Sequence, residues 1–257
     1  MMTVGIDIGS TCSKTAVMDD QGNISELFVL PTGWSSIQAL EDIQRELRLR
    51  GTDPENVLCI STGYGRKAVS FARKQVTEIS CHAKGAAELF LSSPINVIDV
   101  GGQDTKVISC TDGRVEEFYM NEKCAAGTGK FVEVMANRLN IPIDSLDELA
   151  RLRTKQIEIS SLCTVFAESE IVALAGQGES KENIAWGVLN SVAKKVSQEY
   201  SKLKDQDRPV FLTGGLCSCT YFTELLSLRL KREVHSHPDA RYAGAIGAAV
   251  LAQERFA

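Results

Sequence analysis

Apolar residues follow two different periods along this chain. In the first half, short apolar runs such as residues 3–9 and 57–61 end in turns rich in glycine, which is typical of buried strands. In the second half, apolar residues recur at helical spacing, most clearly over residues 181–203, where Ile184, Val188 and Val192 lie on one stripe. The pattern predicts an α/β protein with a helix-rich second half.

The predicted elements alternate between strands and helices. Strands are predicted at residues 3–9, 14–18, 24–30, 57–61, 95–102, 106–109, 115–120 and 209–215. Helices are predicted at residues 36–49, 83–91, 131–139, 146–152, 164–175, 181–203 and 221–232, with a closing helix that starts within 239–249.

One strand–turn–strand unit occurs in each half of the chain. Residues 7–14 (DIGSTCSK) and 99–106 (DVGGQDTK) match at their Asp, Gly and Lys positions. Glycine lets backbone N–H groups approach phosphate oxygens, and the Asp can hold Mg²⁺ through water or orient an attacking water. A single such turn is equally typical of an ordinary hairpin. The two copies, together with the strand end LTGG at 212–215, favour a nucleotide site.

Two cysteines precede predicted helices. Cys124 stands ahead of a Gly-rich turn and the helix at 131–139, and Cys163 stands ahead of the helix at 164–175. The turn is not a P-loop, because Cys124 and Phe131 occupy the positions of the P-loop glycine and hydroxyl residue. A helix N-terminus lowers thiolate pKa and stabilises anions, including an all-thiolate iron–sulfur cluster, which needs four cysteines. Two copies of the chain about a twofold axis would supply four. The alternative is two ordinary buried cysteines.

Composition narrows the class of protein. The chain has 257 residues, 44% of them hydrophobic and 24% charged, which is ordinary for a globular protein with a sizeable core. A net charge of −5 argues against an extended nucleic-acid surface, and the apolar runs are too short to span a membrane. The N-terminus lacks a basic leader, so the eight cysteines are expected to be reduced thiols or metal ligands in the cytoplasm.

The two Asp-x-Gly hairpins and the Gly–Gly strand end resemble those of the actin, sugar-kinase and heat-shock-chaperone ATPase superfamily. The resemblance implies two actin-like (ribonuclease H-like) lobes with a nucleotide cleft between them. The lobes are expected at residues 1–94 and 95–257, and the last helix is allowed to pack back across onto the first lobe.

Three segments narrow the resemblance: residues 99–106, 121–129 (NEKCAAGTG) and 163–170 (CTVFAESE). They are similar to activators of 2-hydroxyacyl-CoA dehydratases and to the ATPase subunits of benzoyl-CoA reductase. This implies a homodimer with one 4Fe-4S cluster on the twofold axis, held by Cys124 and Cys163 of each subunit. It also implies one ATP with Mg²⁺ per subunit, whose hydrolysis drives a domain movement. A single low-potential electron would then pass from a ferredoxin or flavodoxin to a dehydratase.

The resemblance also assigns the site residues. It gives catalytic roles to Asp7, Asp99, Gln103 and Asp104, and leaves open whether Gln103 or Asp104 positions the attacking water. It gives nucleotide binding to Gly9, Ser10, Thr11, Lys14, Gly101, Gly102, Lys106, Gly127, Thr128, Gly129, Gly214 and Gly215, with Gly244 and Ala245 closing over the base. For Gly244 the alternative is tight helix packing.

Six further cysteines and three histidines receive no role in this interpretation. Cys12, Cys59, Cys81 and Cys110 are expected in the core, and Cys217 and Cys219 are considered incidental because no partner pair is present. His82, His235 and His237 have no metal-binding spacing. Two other functions remain open: a small-molecule kinase of the same superfamily, and a nucleotide-gated scaffold with structural cysteines.

Overall fold

The computed structural model describes residues 1–160 and 163–256. The chain forms two compact units, each assembled from segments that are distant in sequence. The first unit comprises Met1–Val97, Ile108–Glu117 and Asp239–Ala257, and the second comprises Ile98–Val107 and Phe118–Pro238. The closing segment of the chain therefore belongs to the same unit as its beginning. The sequence-based boundary between residues 94 and 95 stays a prediction.

The strands and helices follow one another in a mixed order. The strands are β1 (Thr3–Ile8), β2 (Cys12–Met18), β3 (Ile24–Pro31), β4 (Leu58–Thr62), β5 (Lys74–Gln75), β6 (Ile95–Val100), β7 (Thr105–Thr111), β8 (Arg114–Asn121), β9 (Val210–Gly214) and β10 (Val234–His235). The α-helices are α1 (Ser36–Leu49), α2 (Glu78–Phe90), α3 (Gly129–Arg138), α4 (Leu146–Arg151), α5 (Thr164–Gly176), α6 (Lys181–Tyr200), α7 (Thr220–Leu230) and α8 (Ala243–Phe256). Short 3₁₀ helices occupy Pro54–Asn56, Arg66–Ala68, Ile143–Ser145 and Ala240–Tyr242.

The first sheet has the strand order β3-β2-β1-β4-β5. Its central strand β1 is antiparallel to β2 and parallel to β4, and every residue of β1 is buried. Helix α1 buries Leu40, Ile43 and Leu47 in a core cluster with Val4 and Ile6 of β1. The carboxyl end of β1 is thereby fixed in the middle of the sheet, where Asp7 is the cross-strand partner of Lys14.

Helices α2 and α8 of the first unit approach each other closely. A Cβ atom on Gly247 would overlap the carbonyl oxygen of Cys81, and one on Gly85 would overlap that of Ala243. Gly5 of β1 is approached in the same way by the carbonyl oxygen of Ala245. Glycine at these positions allows α8 to lie directly against both α2 and the sheet.

The second sheet has the strand order β10-β9-β6-β7-β8. It repeats the arrangement of the first sheet, because three strands that are consecutive in sequence lie side by side at one end of each. In the second unit, α6 is mostly buried and contacts α3, α4 and α7. Asp147 of α4 accepts hydrogen bonds from the backbone N–H groups of Tyr221 (3.0 Å) and Phe222 (2.9 Å), so it caps the N-terminus of α7 from a distant helix.

The sequence predicted most elements to within a few residues, and α1 to the residue. Helix α2 begins at Glu78, earlier than predicted, because the Thr77 hydroxyl accepts a hydrogen bond from Ser80 N (3.4 Å) and starts the helix in a polar stretch. The sequence does not predict β5, and for β10 it indicates only a strand end near His235 and His237, since two-residue strands have no period of their own. Within the described ranges, every helix is too short or too polar to cross a membrane.

We expect Gly247→Ala to lower the free energy of unfolding by about 1–3 kcal/mol, because the added methyl group must displace the backbone of α2. Urea unfolding followed by circular dichroism measures the change. Gly176→Ala is the matched control, since a Cβ there meets no atom within 4 Å and alanine favours a helix by up to about 1 kcal/mol. Equal stability changes in the two variants would contradict the proposed close packing of α2 and α8.

Candidate functional site

The turn between β6 and β7 carries a buried charge cluster, which we call the second hairpin (residues 99–106). Lys106 Nζ donates hydrogen bonds to Asp104 Oδ1 (2.8 Å) and Asp99 Oδ2 (3.3 Å). All three side chains are almost completely excluded from solvent. Two carboxylates around one ammonium group leave a net negative charge, which suits a cation such as Mg²⁺ nearby.

The two polar residues of the second hairpin that sequence could not separate are in different environments. Asp104 is 3% exposed and bound to Lys106, whereas Gln103 is exposed. The turn itself is closed by a hydrogen bond from Gly101 N to Asp104 O (2.9 Å). Gln103 is therefore the side chain at the tip of this turn that solvent or a ligand can reach.

The turn after β9 lies directly beside the second hairpin. Thr213 Oγ1 donates to Asp99 Oδ1 (2.8 Å), and Gly215 N donates to Val100 O (2.9 Å). Gly214 has φ +86°, a conformation that glycine adopts without strain. The structure thus brings together the predicted adenosine turn and the second hairpin within one unit.

The corresponding turn between β1 and β2 is the first hairpin (residues 7–14), in the first unit. Gly9 N donates to Cys12 O (3.2 Å), as Gly101 N does to Asp104 O in the second hairpin. The buried Thr32 hydroxyl donates to Gly9 O (2.8 Å) and lies 2.9 Å from Ser13 Oγ. These bonds fix the backbone of the first hairpin, while Ser10, Thr11 and Lys14 keep partial or full exposure.

Sequence reasoning missed one histidine at the first hairpin. His82 of α2 is 4% exposed, and its Nε2 lies 4.0 Å from Asp7 Oδ2 and 3.8 Å from Glu78 Oε1. The signal that could have found it is the i, i+4 spacing of Glu78 and His82 on one helix face. Gly244 is adjacent, since a Cβ there would lie 2.8 Å from Asp7 Oδ2 and 2.9 Å from His82 Nε2. Ala245 is buried against β1.

The loop from Asn121 to Thr128, which we call the Cys124 loop, presents an exposed thiol on a firmly bonded backbone. Asn121 Nδ2 donates to Cys124 O (2.9 Å) and Ala126 O (3.2 Å). Thr128 Oγ1 donates to Ala125 O (2.6 Å). The loop's shape is therefore set by side chains at both of its ends.

The Cys124 loop and α3 are hydrogen-bonded to the second hairpin. Gly129 N donates to Gly101 O (2.9 Å), and Lys130 N donates to Gly102 O (2.8 Å). The sequence predicted that the first N–H groups of this helix would face an anion at Cys124. The structure corrects that explanation for these two groups, because they are bonded to the carbonyl groups of the second hairpin.

Cys163 is the N-cap residue of α5 and is exposed. Its side chain makes no capping hydrogen bond, and the first turn of α5 carries no acidic residue. Ser160 N and Oγ donate to Glu170 Oε1 (3.0 and 3.1 Å), which holds the described segment ahead of Cys163 to the helix. Arg138 of α3 pairs with Glu168 of α5 at 3.5 Å. Helices α3 and α5 therefore lie together, with an exposed cysteine in the loop ahead of α3 and another at the N-cap of α5.

The donor set fits an iron–sulfur cluster. The two thiols are exposed, thiolate sulfur is the ligand that such clusters require, and neither helix begins with a carboxylate that would repel an anion. One chain supplies two of these donors, so four require a second copy.

The first-half cysteines are in a different environment. Cys59, Cys81 and Cys110 are fully buried, as the sequence predicted. Burial raises the pKa of Cys81 to about 12 and raises that of Cys59 as well, so neither thiol ionises at neutral pH. Cys217 is buried and Cys219 is half-buried. The core prediction was wrong for Cys12, which is half-buried because it is the first residue of β2, beside the turn of the first hairpin.

Two known proteins are similar to this chain along nearly its full length. The (R)-2-hydroxyglutaryl-CoA dehydratase activating ATPase of Acidaminococcus fermentans is 38% identical over 99% of this chain and 98% of its own length. The uncharacterized protein YjiL of Escherichia coli is 43% identical over 98% of this chain and 96% of its own length.

Solved structures agree with these sequence relationships. The crystal structure of component A of the Acidaminococcus fermentans dehydratase has a TM-score of 0.92 and covers 99% of this chain and 98% of its own. The activator of the 2-hydroxyisocaproyl-CoA dehydratase from Clostridium difficile, with bound ADPNP, has a TM-score of 0.92 at 33% identity and covers 99% of this chain and 95% of its own. The predicted actin-like α/β fold with two lobes is confirmed.

A family model matches residues 4–252, nearly the full length of the chain. The predicted kinship with dehydratase activators is confirmed by relatives that carry that name. The chain therefore belongs to the BadF/BadG/BcrA/BcrD ATPase family.

Proposed function

We propose that this chain is an ATP-hydrolysing, iron–sulfur activator that donates a single low-potential electron to a 2-hydroxyacyl-CoA dehydratase-type partner. The observation that carries the proposal is the direct hydrogen bonding between the second hairpin and the Cys124 loop. These bonds support a role in which the proposed phosphate site and the exposed thiol act together.

In the proposed ATP site, Gly9, Ser10, Thr11, Lys14, Gly101, Gly102 and Lys106 bind the phosphates, and Gly214 and Gly215 lie at the adenosine. Asp7 and Asp99 hold Mg²⁺ through water. The burial of Asp99 and its bonds to Lys106 and Thr213 support this role, because the carboxylate is oriented before the cation arrives.

For positioning of the attacking water we propose Gln103. Its exposure at the tip of the second hairpin supports this role, whereas Asp104 is engaged by Lys106. Hydrolysis then converts ATP and water to ADP and phosphate, and Asp104 acts through Lys106 by fixing its ammonium group.

Cys124 and Cys163 from two copies of the chain would hold one 4Fe-4S cluster on a twofold axis, with Gly127, Thr128 and Gly129 joining it to the nucleotide site. Such a cluster supplies one-electron redox chemistry. The role of the chain's own residues is to keep four thiolates at a fixed mutual distance and to leave α5's first N–H groups directed at the anion.

Helix α5 also exposes an apolar surface next to Cys163. Val165 is 66% exposed, Phe166 is 68% exposed and Val172 is 44% exposed. Exposed apolar side chains beside a functional residue support a protein interface there, shared by the second copy and the dehydratase partner. A ferredoxin or flavodoxin is the proposed electron donor.

The kinase alternative has less support. Several relatives are named as activators of dehydratases, and one such activator is solved with the ATP analogue ADPNP. A kinase also has no use for two exposed thiols at the starts of adjacent helices.

We expect wild-type protein, purified without oxygen, to contain about four irons and four acid-labile sulfides per dimer. Cys124→Ser and Cys163→Ser should each abolish the cluster because a hard hydroxyl replaces a thiolate ligand. Iron and sulfide analysis with the visible spectrum measures both. Cys219→Ser is the control, since Cys219 is half-buried beside the proposed adenosine turn and should keep full iron content. Full cluster content in Cys163→Ser would remove Cys163 from the ligand set.

We expect Asp99→Asn to slow ATP hydrolysis by about 100-fold or more, because the neutral amide cannot hold Mg²⁺ or polarise water as the carboxylate does. Phosphate release gives the rate, and iron analysis of the same sample should be normal. Asp112→Asn, in the exposed turn between β7 and β8, is a matched carboxylate-to-amide control that should hydrolyse ATP at the wild-type rate. A normal rate in Asp99→Asn would exclude Asp99 from catalysis.

A further inference from the structure

Thr105 connects the second hairpin to the Cys124 loop through its side chain. It lies between Asp104 and Lys106 in sequence and is 1% exposed. Its hydroxyl donates a hydrogen bond to Gly127 O at 2.6 Å, in a buried position. The residue is absent from the phosphate-binding and ligand sets assigned above.

We propose that Thr105 is a positioning residue that transmits the nucleotide state of the second hairpin to Cys124. The inference rests on the proposed function. It adds the hydroxyl group through which the proposed nucleotide site and Cys124 communicate. The hydroxyl group acts through Gly127 and does not touch the reacting atoms.

The position of Thr105 in the hairpin makes it sensitive to the nucleotide. Asp104 and Lys106, on either side of it, form the buried ion pair, so a change of charge at this site shifts the backbone that carries Thr105. The hydrogen bond to Gly127 O is short and excluded from water. A shift of the hairpin must therefore either move Gly127 or break a buried bond.

The Cys124 loop cannot absorb such a shift at Gly127. The stem of Lys195 on α6 lies against it, so that a Cβ on Gly127 would approach Lys195 Cγ to 2.6 Å. Gly127 also has φ +88°, a backbone conformation that glycine adopts without strain. With α6 on one side and Thr105 on the other, displacement of Gly127 passes along the loop toward Cys124.

The other hydrogen bonds between the two segments are formed by the backbone. Gly129 N and Lys130 N donate to Gly101 O and Gly102 O whatever the side chains are. Thr105, in contrast, contributes a side-chain hydrogen bond to this connection, and Thr105→Val removes it without changing the shape of the residue. A purely structural role, satisfaction of the buried carbonyl of Gly127, predicts loss of stability without any effect on nucleotide response.

The test is the alkylation rate of Cys124 in full-length protein that is free of iron and supplied with Mg²⁺. N-ethylmaleimide modification of Cys124 is quantified by peptide mass spectrometry, once with ADP and once with ADPNP. We expect the two rates to differ by at least about fivefold in the wild type, the lower end of ordinary coupling between two sites. In Thr105→Val the ratio should fall to about one, while Thr105→Ser, which keeps the hydroxyl, should restore the wild-type ratio.

Asn121→Ala is the matched control. It removes hydrogen bonds to Cys124 O and Ala126 O from the β8 side of the loop and leaves the second hairpin untouched. We expect it to raise the alkylation rate equally with both nucleotides, so the ratio stays that of the wild type. This variant distinguishes a Cys124 loop that is merely more mobile from one that has lost its Thr105 hydrogen bond to the second hairpin.

Three results would overturn the inference: a wild-type rate that is independent of nucleotide, a wild-type ratio in Thr105→Val, or a ratio near one in folded Thr105→Ser. If Thr105→Val does not fold, the ratios of the alkylation rates in Thr105→Ser and in the wild type still test the inference. Failure of the proposed function is recognised separately, because it appears as missing nucleotide binding in calorimetry or missing iron in the anaerobic protein. Normal binding and iron content with nucleotide-independent Cys124 would overturn the role of Thr105 alone.

Discussion

Lys106 lies between Asp99 and Asp104 with about 1% of its side chain exposed, and the rest of the site depends on this buried arrangement. Taking an ammonium group and two carboxylates out of water is costly, so the three groups must keep good mutual geometry to offset the loss of hydration. Removing one partner of a buried ion pair typically costs about 3–5 kcal/mol. The second hairpin is therefore held in one conformation, with Thr213 and the Gly214 turn on one side of it.

This rigidity explains how a thiol can be both exposed and well placed. Cys124 lies on a loop, where backbone is usually mobile. Here its neighbours are bonded to β8 through Asn121, to the second hairpin through Thr105, and to each other through Thr128. Cys163 is placed differently, as the N-cap of α5, and Ser160 is hydrogen-bonded to Glu170 of that helix. Both thiols thus remain accessible while their backbones are restrained, as a shared metal cluster requires.

The surface ion pair between Arg138 and Glu168 has a smaller part in this. Both side chains are substantially exposed, and exposed pairs contribute about 0–1 kcal/mol. It joins the last residue of α3 to the first half of α5. The packing of the helices comes from buried residues such as Phe131, Ala167 and Ile171.

The α/β class, the repeated hairpin, the two cysteines and most element positions could be predicted from the sequence, because hydrophobic period, glycine-rich turns and motif spacing are local properties of the chain. The resemblance of its motifs also identified the family. Three features became visible only in the fold: Gln103 is exposed while Asp104 is bound to Lys106, His82 lies beside Asp7, and α8 belongs to the same unit as the first strands. The fold also shows that the first N–H groups of α3 donate hydrogen bonds to the second hairpin, whereas the sequence-based hypothesis directed them at an anion bound by Cys124. These features join residues that are far apart in sequence, so they follow from packing and from the need to pair buried polar groups, which no local pattern encodes.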